Sequence, residues 1–307
     1  MSVQIIMATY NGEKFIREQI ESIISQTFTD WKLIIHDDGS TDNTLTIITE
    51  YIEKDSRICL INDNLKFHNS SANFFHLIKN IDKNTDYICL CDQDDIWLPQ
   101  KLEISINEME KIGNKSLPVC IATDVCLIDS NGKKYVDSFW KYANINTKSN
   151  FRSLILENTA TGCTMIFNSI VLEYLYDLTN EEIKNIIQHD WFIALICASD
   201  GIYQQLCIPL VCYRQHDGNV VGARKTCLYN KLNPKEGIKS LKRIKTLKKR
   251  IFLQLEVLLG KIQDEMSKKD IKKFLSTKLL KHKIFSIRNG FCKSNYFSKS
   301  LIKVLLY

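Results

Sequence analysis

The sequence predicts an α/β protein built on a mainly parallel sheet, and two observations favour this fold class. The first half of the 307 residues alternates short β-rich apolar runs with helical patterns of apolar residues. Polar motifs rich in Asp follow several of these runs, and ligands of open parallel sheets bind beyond the carboxyl ends of the strands. With 45% hydrophobic residues, the chain can build a large core.

The elements of the first hundred residues are expected in regular alternation. Strands are predicted over residues 3–9, 32–36, 57–62 and 87–91. Helices are predicted over residues 13–26, 41–54 and 72–80. In the first helix, apolar residues recur on one face, at Phe15, Ile16, Ile20, Ile23 and Ile24.

The pattern becomes mixed after residue 100. We expect a helix to about residue 113, strands over 119–124 and 161–167, a helix from 191, and strands near 202 and 210. From about residue 225 the chain is predicted to be helical. Its apolar residues there recur at steps of three and four beside a Lys-rich face, at Leu241, Ile244, Leu247, Ile251, Leu255, Leu258 and Ile262.

The charge divides the chain into two parts. Residues 224–307 carry 23 Lys and Arg against 5 Asp and Glu, a balance of +18, so residues 1–223 carry −12 of the net +6. We therefore predict an acidic domain over residues 1–223 and a basic helical region over residues 224–307. A basic amphipathic helix suits an anionic membrane surface, a nucleic acid or simply solvent.

The cysteines and the apolar runs indicate a cytoplasmic protein. The eleven Cys show no Cys-x-x-Cys pair or zinc-type spacing, which is typical of free thiols in a reducing compartment. We find no signal-peptide pattern and no apolar run near the roughly 20 residues that a bilayer span needs. No membrane-spanning segment is expected.

Asp92-Gln93-Asp94-Asp95 follows an apolar strand and places three carboxylates close together. Like charges at such separation repel unless a cation shares them. Mg²⁺ is commonly bound by one or two carboxylates together with substrate phosphates. The motif can equally be an acidic turn that caps the helix after Pro99.

Asp37-Asp38-Gly39-Ser40 also lies between a strand and a helix. Gly39 permits a tight turn, and the carboxylates can accept hydrogen bonds from a base or from ribose hydroxyls. An ordinary strand-to-helix turn capped by Ser40 or Thr41 is the alternative.

Four ordered blocks resemble family 2 glycosyltransferases, which have the GT-A fold: Met7-Ala8-Thr9-Tyr10-Asn11-Gly12, Ser25-Gln26-Thr27-Phe28, His36-Asp37-Asp38-Gly39-Ser40-Thr41-Asp42 and Asp92-Gln93-Asp94-Asp95-Ile96-Trp97. Three later blocks, over residues 157–165, 189–192 and 213–223, resemble the rhamnosyltransferase branch of that family, whose members build bacterial cell-wall, capsule and O-antigen polysaccharides. The stretch over residues 64–73 departs from the family by having Leu65-Lys66-Phe67-His68 where many members have a Gly and an Arg.

The resemblance implies a role for each matching residue. Donor-nucleotide contacts are implied for Thr9, Tyr10, Asn11, Asp38, Gly39 and Asp94. Ligation of a divalent cation, Mg²⁺ or Mn²⁺, is implied for Asp94, Asp95 and His216. Supporting positions are Asp37, Asp92, Gln93, Trp97, His189, Trp191, Arg214 and Gln215.

Asp190 is implied as the catalytic base, since an acceptor hydroxyl is a poor nucleophile until a carboxylate takes its proton. It can also cap the apolar helix that it precedes. His216 can likewise be a buried histidine satisfied by a neighbour rather than a ligand.

The resemblance implies an inverting transfer of L-rhamnose from dTDP-L-rhamnose to a lipid-linked saccharide, on the cytoplasmic face of the plasma membrane. A Gln-x-x-Arg-Trp block, typical of processive members, is missing from the sequence, so addition of a single sugar is expected. The alternatives are transfer of glucose, galactose or N-acetylhexosamine from a UDP-sugar, a nucleotidyltransferase, and a non-catalytic nucleic-acid-binding protein. No nucleic-acid partner is predicted, because such a partner leaves the acidic motifs unexplained.

Overall fold

A computed structural model describes residues 1–114, 116–147, 150–216 and 234–276, with side chains in the last segment described from residue 246. Nine strands form one sheet: β1 (Val3–Thr9), β2 (Trp31–Asp37), β3 (Ile58–Ile61), β4 (Tyr87–Cys91), β5 (Ile96–Trp97), β6 (Val119–Ile128), β7 (Lys134–Val136), β8 (Ile166–Asn168) and β9 (Ile202–Arg214).

Ten α-helices surround the sheet in the described segments: α1 (Ile16–Ile24), α2 (Thr44–Lys54), α3 (Ser70–Asn80), α4 (Lys101–Ile112), α5 (Phe139–Ala143), α6 (Phe151–Leu154), α7 (Asn180–Asn185), α8 (His189–Asp200), α9 (Pro234–Lys261) and α10 (Glu265–Ser276). The predicted α/β fold class is therefore confirmed.

The first four strands form the parallel half of the sheet. β1 lies between β2 and β4, and β3 pairs with the outer edge of β2. Thr9 at the end of β1 is level with Asp37 at the end of β2, while Met7 is level with Cys91. Because parallel strands end at the same edge, the polar loops that follow β1, β2 and β4 lie side by side.

The second half of the sheet is mixed. β8 runs antiparallel to both β4 and β6, β9 runs parallel to β6, and the short β5 pairs antiparallel with the other side of β9. β5 directly follows the acidic motif. This pairing therefore brings the end of β9, with Arg214, Gln215 and His216, to that motif.

The core lies on both faces of the sheet, as the continuous apolar runs of β1 and β4 require. Ile5 and Met7 point to the face covered by α1, α2 and α4, while Ile6 points to the face covered by α3 and α8. All three residues are completely buried.

Several predicted boundaries differ from the structure; the first helix, for example, spans Ile16–Ile24 rather than residues 13–26. The helix predicted from residue 41 begins at Thr44, because the backbone N–H groups of Thr41 and Asn43 donate to Asn11 and Glu13 across the neighbouring loop. The strand predicted over residues 161–167 is mostly a 3₁₀ turn, Gly162–Thr164, before β8. The two strands near residues 202 and 210 are one strand, β9, with register shifts opposite Asp124.

α9 buries the apolar stripe that the sequence predicted. Ile251, Leu255, Leu258 and Ile262 are at most 2% exposed and belong to the core cluster that contains α8. Along this stretch the apolar face of the basic helix therefore contacts protein. The side chains of Leu241 and Ile244, and all of residues 217–233 and 277–307, lie outside the described residues.

Within the described segments, no helix combines the length and apolar composition needed to cross a bilayer. This includes α9, which is 28 residues long but rich in Lys.

Leu255→Ala tests the packing of α9. Leu255 is 0% exposed, so the truncation should lower the free energy of unfolding by about 2–5 kcal/mol through lost burial and a residual cavity. Urea denaturation measures this change. Lys249→Ala on the exposed side of the same helix is the control and should stay within about 0.5 kcal/mol of the parent. Equal effects of the two substitutions would contradict the packing.

Candidate active site

The loops after β1 and β2 are joined by side-chain hydrogen bonds to form one rim of the site. Thr9 Oγ1 donates to Asp37 Oδ1 at 2.8 Å, and Asp37 Oδ2 accepts from the N–H groups of Gly39 and Ser40 at 3.0 and 2.7 Å. Asn11, with φ +47°, donates its N–H to Ser40 Oγ at 2.8 Å. Asp37 thus holds the turn together, and a cap by Ser40 or Thr41 is not what forms it.

Gln93 clamps the acidic loop onto the loop after β1. Its Oε1 accepts from Tyr10 N and its Nε2 donates to Tyr10 O, both at 2.9 Å. Gly12 makes this approach possible, because a Cβ at that position would lie 2.4 Å from Gln93 Oε1. The clamp leaves the Tyr10 ring outside, where the residue is 51% exposed and free to stack on a planar ligand.

Asp38 is buried under the loop that follows β3. Its carboxylate accepts from the N–H groups of Phe67 and Asn69, the latter at 3.2 Å. The side chain of Lys66 lies over Gly39, where a Cβ would come within 2.7 Å of Lys66 Cε. Asp38, predicted as a nucleotide contact, thus positions the loop that contains Leu65-Lys66-Phe67-His68, and this loop brings the Lys66 ammonium group to the rim.

Asp94 and His216 meet at the accessible side of the acidic loop. His216 Nε2 lies 2.8 Å from Asp94 Oδ2, and the two side chains are 19% and 15% exposed. The His216 ring also packs on Phe15, with 4.8 Å between centroids. The structure thus brings together two of the three predicted metal ligands.

Asp95, the third predicted ligand, lies behind that pair. It is 0% exposed, and its Oδ1 accepts from Arg214 N at 3.0 Å. Its Oδ2 is buried and receives no N–H or O–H bond from the described residues. Ligand atoms of Asp92, Asp95 and Cys163 lie within 4.8 Å of one another, so Asp92 is placed more centrally than the sequence suggested.

Burial and mutual repulsion raise the pKa values of two carboxyl groups in the acidic loop, those of Asp92 and Asp95. Burial, with the charges of Asp94 and Asp190, raises the pKa of Asp92 to about 7. Burial, with the charges of Asp94 and Asp92, raises the pKa of Asp95 well above its ordinary value. A divalent cation would relieve this repulsion. Two neighbouring groups offer ligand atoms for such a cation: the Asp94 carboxylate with His216 Nε2, and the carboxylates of Asp92 and Asp95.

Arg214 holds the acidic loop from beneath and is completely buried. Its Nε donates to Asp94 O at 2.8 Å, and one terminal nitrogen lies 2.7 Å from Glu18 Oε2 on α1. Gln215 donates its N–H to Ile128 O at 2.9 Å and its side-chain amide to Arg214 O at 3.0 Å. Both residues shape the loop and are not placed to bind a ligand through these atoms.

Trp97 closes the acidic loop on the side of the core. The backbone N–H of Trp97 donates to Ser22 Oγ at 3.0 Å, and the residue is 2% exposed. The ammonium of Lys101 lies 3.6 Å from the ring centroid, fully buried. Burial lowers the pKa of Lys101. Trp97 thus supports the loop through packing.

Asp190 lies in the first turn of α8 and faces the acidic loop. Its Oδ1 accepts from Trp191 N at 2.6 Å and from Asn158 Nδ2 at 3.2 Å, and its Oδ2 accepts from Gly162 N at 3.1 Å. Burial raises the pKa of Asp190 to about 6, despite these donors. The N-cap itself is Gln188, so Asp190 does not occupy the cap position.

His189 and Trp191 flank this carboxylate. The His189 ring stacks on Phe74 at 4.0 Å between centroids, and burial lowers its pKa to about 3, so the ring is neutral. Trp191 Nε1 donates to Leu154 O at 2.6 Å, which fixes the helix start on α6. Both residues therefore orient the first turn of α8.

Sequence reasoning missed several residues that shape the site. Asn158 and Gly162 donate to Asp190, Cys163 lies beside Asp95, and Lys66 covers Gly39. The first three fall within the block over residues 157–165 that the sequence singled out without assigning roles. Lys66 falls in the stretch that departs from the family.

An acidic loop at the carboxyl edge of a parallel half-sheet, opposite a buried carboxylate with a raised pKa, is a candidate active site, because perturbed carboxylates cluster at functional sites and ligands bind at this edge. The model of the family "Glycosyl transferase family 2" matches residues 4–175, more than half of the chain. The chain therefore belongs to glycosyl transferase family 2.

The chain is also similar in sequence to individual glycosyltransferases. The chain is 35% identical over 224 residues to dTDP-rhamnosyl transferase RfbG of Shigella flexneri, covering 71% of this chain and 74% of that one. It is 37% identical over 109 residues to UDP-Glc:alpha-D-GlcNAc-diphosphoundecaprenol beta-1,3-glucosyltransferase WfgD of Escherichia coli, covering 36% and 41%.

Solved structures share the fold. S. aureus TarS in complex with UDP superposes with a TM-score of 0.58 at 18% identity, covering 97% of this chain and 77% of that one. The mannosyltransferase PcManGT of Pyrobaculum calidifontis, in complex with GDP-Man and Mn2+, gives 0.54 at 11% identity, covering 99% and 78%. The expected GT-A fold is confirmed.

Gly12→Ala tests the clamp between Gln93 and Tyr10. The added Cβ collides with Gln93 Oε1, so the substitution should destabilise the protein by about 1–3 kcal/mol. In Gln93→Ala the same glycine substitution should cost much less, because the colliding group is gone. Thermal unfolding of the two single variants and the double variant measures the coupling. Simple additivity would show that Gly12 is required for another reason.

Proposed function

We propose that this protein transfers one L-rhamnose from dTDP-L-rhamnose to a hydroxyl of a lipid-linked saccharide, with inversion at the anomeric carbon. The activity class follows from family membership. The rhamnosyl donor is supported by the similarity to a dTDP-rhamnosyl transferase over 71% of the chain. Cell-surface polysaccharide synthesis, in a capsule, O-antigen or cell wall, is the matching role.

The burial and the raised pKa of Asp190 are the observations that support this mechanism. A buried carboxylate whose pKa is about 6 is ionised at neutral pH yet basic enough to take a proton. The acceptor oxygen loses its proton to Asp190 and forms a bond to the anomeric carbon. The bond from that carbon to the diphosphate breaks, and its electron pair leaves with the nucleotide diphosphate.

The donor occupies the rim formed by the loops after β1, β2 and β4. The base stacks on Tyr10 beside Thr9, Asn11 and Gly39, and Lys66 adds a positive charge at the same rim. Asp94 and His216, with Asp95 behind them, would hold a Mg²⁺ or Mn²⁺ ion, whose positive charge would stabilise the departing diphosphate. Asp92 helps to make the loop anionic enough to retain the ion.

A UDP-sugar is the second candidate donor. The similarity to a UDP-glucose-dependent glucosyltransferase and to structures that contain UDP favours it. The exposed ring of Tyr10 can stack on either pyrimidine. The family assignment argues against the nucleotidyltransferase and the nucleic-acid-binding protein.

We further propose that residues 1–223 form the catalytic domain and that the basic region over residues 224–307 keeps the enzyme on the cytoplasmic membrane surface. Since α9 buries its apolar face from Ile251 to Leu258, attraction between Lys side chains and anionic headgroups supplies the binding there. Such binding is reversible and weakens with salt.

Asp190→Asn tests the base. The substitution removes the proton acceptor but keeps the size of the side chain, so transfer should fall by at least about 100-fold, the scale of general-base catalysis. Donor affinity, measured by calorimetry, should stay nearly unchanged. Asp137→Asn, at an 87% exposed carboxylate, is the control. Lost donor affinity in Asp190→Asn would move this residue to the donor site.

The pH profile gives the same test a second measurement. Protonation of Asp190 below its pKa of about 6 removes the base, so the transfer rate of the parent should fall as the pH drops through that value.

A donor panel tests the substrate and the cation together. Thermal shift with sugar nucleotides should show the largest stabilisation for dTDP-L-rhamnose, and only in the presence of Mg²⁺ or Mn²⁺. Asp94→Asn should abolish the metal-dependent part of the shift, and EDTA should stop transfer by the parent. A larger shift with a UDP-sugar would select the second candidate. Full-rate transfer in excess EDTA would refute the metal assignment.

A further inference from the structure

Two histidines and a carboxylate meet outside the transferase site, beneath the loop over residues 63–69. His36 Nε2 lies 3.1 Å from Asp63 Oδ1, and His76 Nε2 lies 2.6 Å from Asp63 Oδ2. The two imidazole rings are 4.6 Å apart, and the three ligand atoms lie within 4.8 Å of one another. The cluster joins the end of β2, the start of the loop and the middle of α3.

The hydrogen bonds of His36 fix its tautomer. Its Nδ1 lies 2.7 Å from Asn73 Oδ1, and the orientation of that amide is set because Asn73 Nδ2 donates to His36 O at 3.2 Å. Nδ1 therefore carries the hydrogen, and Nε2 of the neutral ring presents its lone pair to Asp63. A lone pair and a carboxylate oxygen at 3.1 Å attract each other only through a shared positive charge, either a proton or a metal ion.

We propose that His36, Asp63 and His76 form a binding site for a transition-metal ion of the Zn²⁺ class. Two imidazole nitrogens and one carboxylate are the ligands that Zn²⁺ and Co²⁺ accept, whereas Mg²⁺ prefers oxygen alone. Asn73 holds His36 from its other ring nitrogen, as outer partners of metal-bound histidines do. The side chains of His76 and Asp63 are 14% and 31% exposed, which gives the ion a path from solvent.

The site controls the loop that covers Asp38. Asp63 begins the loop, and its Oδ1 accepts a hydrogen bond from the N–H of Leu65 at 3.0 Å. The ring of Phe67 packs on the two histidines, with centroid distances of 5.6 Å to His36 and 5.0 Å to His76. The N–H groups of Phe67 and Asn69 donate to Asp38. Binding of an ion at one end therefore holds this loop against the rim of the donor pocket at the other.

Cobalt binding by the full chain, stripped with a chelator, tests the site without any sugar donor. Co²⁺ should bind with a visible d–d absorption, and excess Zn²⁺ should displace it while Mg²⁺ should not. His76→Ala should weaken binding by more than about 100-fold, since losing even an outer partner costs about 10- to 100-fold. Asp63→Asn, which preserves side-chain shape, should do the same and serves if His76→Ala fails to fold.

His68→Ala is the matched control, because His68 is an exposed histidine of the same loop outside the cluster. Asp94→Asn removes the candidate cation site of the transferase and should leave unchanged the part of the absorption that depends on His76. The proposal is overturned if Co²⁺ gives no absorption, if binding survives both His76→Ala and Asp63→Asn, or if Asp94→Asn abolishes it. None of these results bears on whether the protein transfers rhamnose.

Discussion

A buried arginine holds the two halves of this molecule in register at the active site. Arg214 ends β9, the longest strand of the mixed half, yet its bonds reach Asp94 and Asp95 in the loop that ends the parallel half. A guanidinium at 0% exposure needs polar partners, and these are Asp94 O and Glu18 Oε2, so the position of the acidic loop is tied to those of β9 and α1. The buried charge of Arg214 therefore fixes the position of the acidic loop relative to the rest of the site.

The same constraint explains why the carboxylates differ in their surroundings. Asp95 faces inward to Arg214 N, Asp94 faces outward to His216, and Asp190 stands across from both on α8. Asp94, Asp95 and Asp190 therefore each have hydrogen-bond partners of their own, which come from different elements of the fold. The cost of burial remains visible in the raised pKa values of Asp92, Asp95 and Asp190.

The sequence predicted the parallel half well because its signals are local. The apolar runs of β1 and β4 and the Asp motifs after β2 and β4 specify strand ends, and parallel strands bring those ends together. It could not predict that Asp95 turns away from Asp94, since burial decides this and the deciding partner lies 119 residues further along the chain.

Other features also depended on distant contacts. The 3₁₀ turn at residues 162–164 replaces a predicted strand because Gly162 N–H is drawn to Asp190, a contact that no local propensity encodes. The His36, Asp63 and His76 cluster joins three separate elements, and no fixed spacing between its residues signals it. In contrast, the apolar stripe of α9 could be predicted, because its residues recur at the three- and four-residue steps of a helix.

The clamp on Tyr10 has a thermodynamic consequence. Both backbone polar groups of Tyr10 are bonded by one side chain, Gln93, so the main chain cannot rearrange without breaking two hydrogen bonds. A planar ring that stacks on Tyr10 therefore restricts only the side-chain torsions of this residue. The backbone of Tyr10 already lost its conformational entropy when the chain folded. Ligand binding therefore carries a smaller entropic cost, and more of the stacking free energy contributes to affinity.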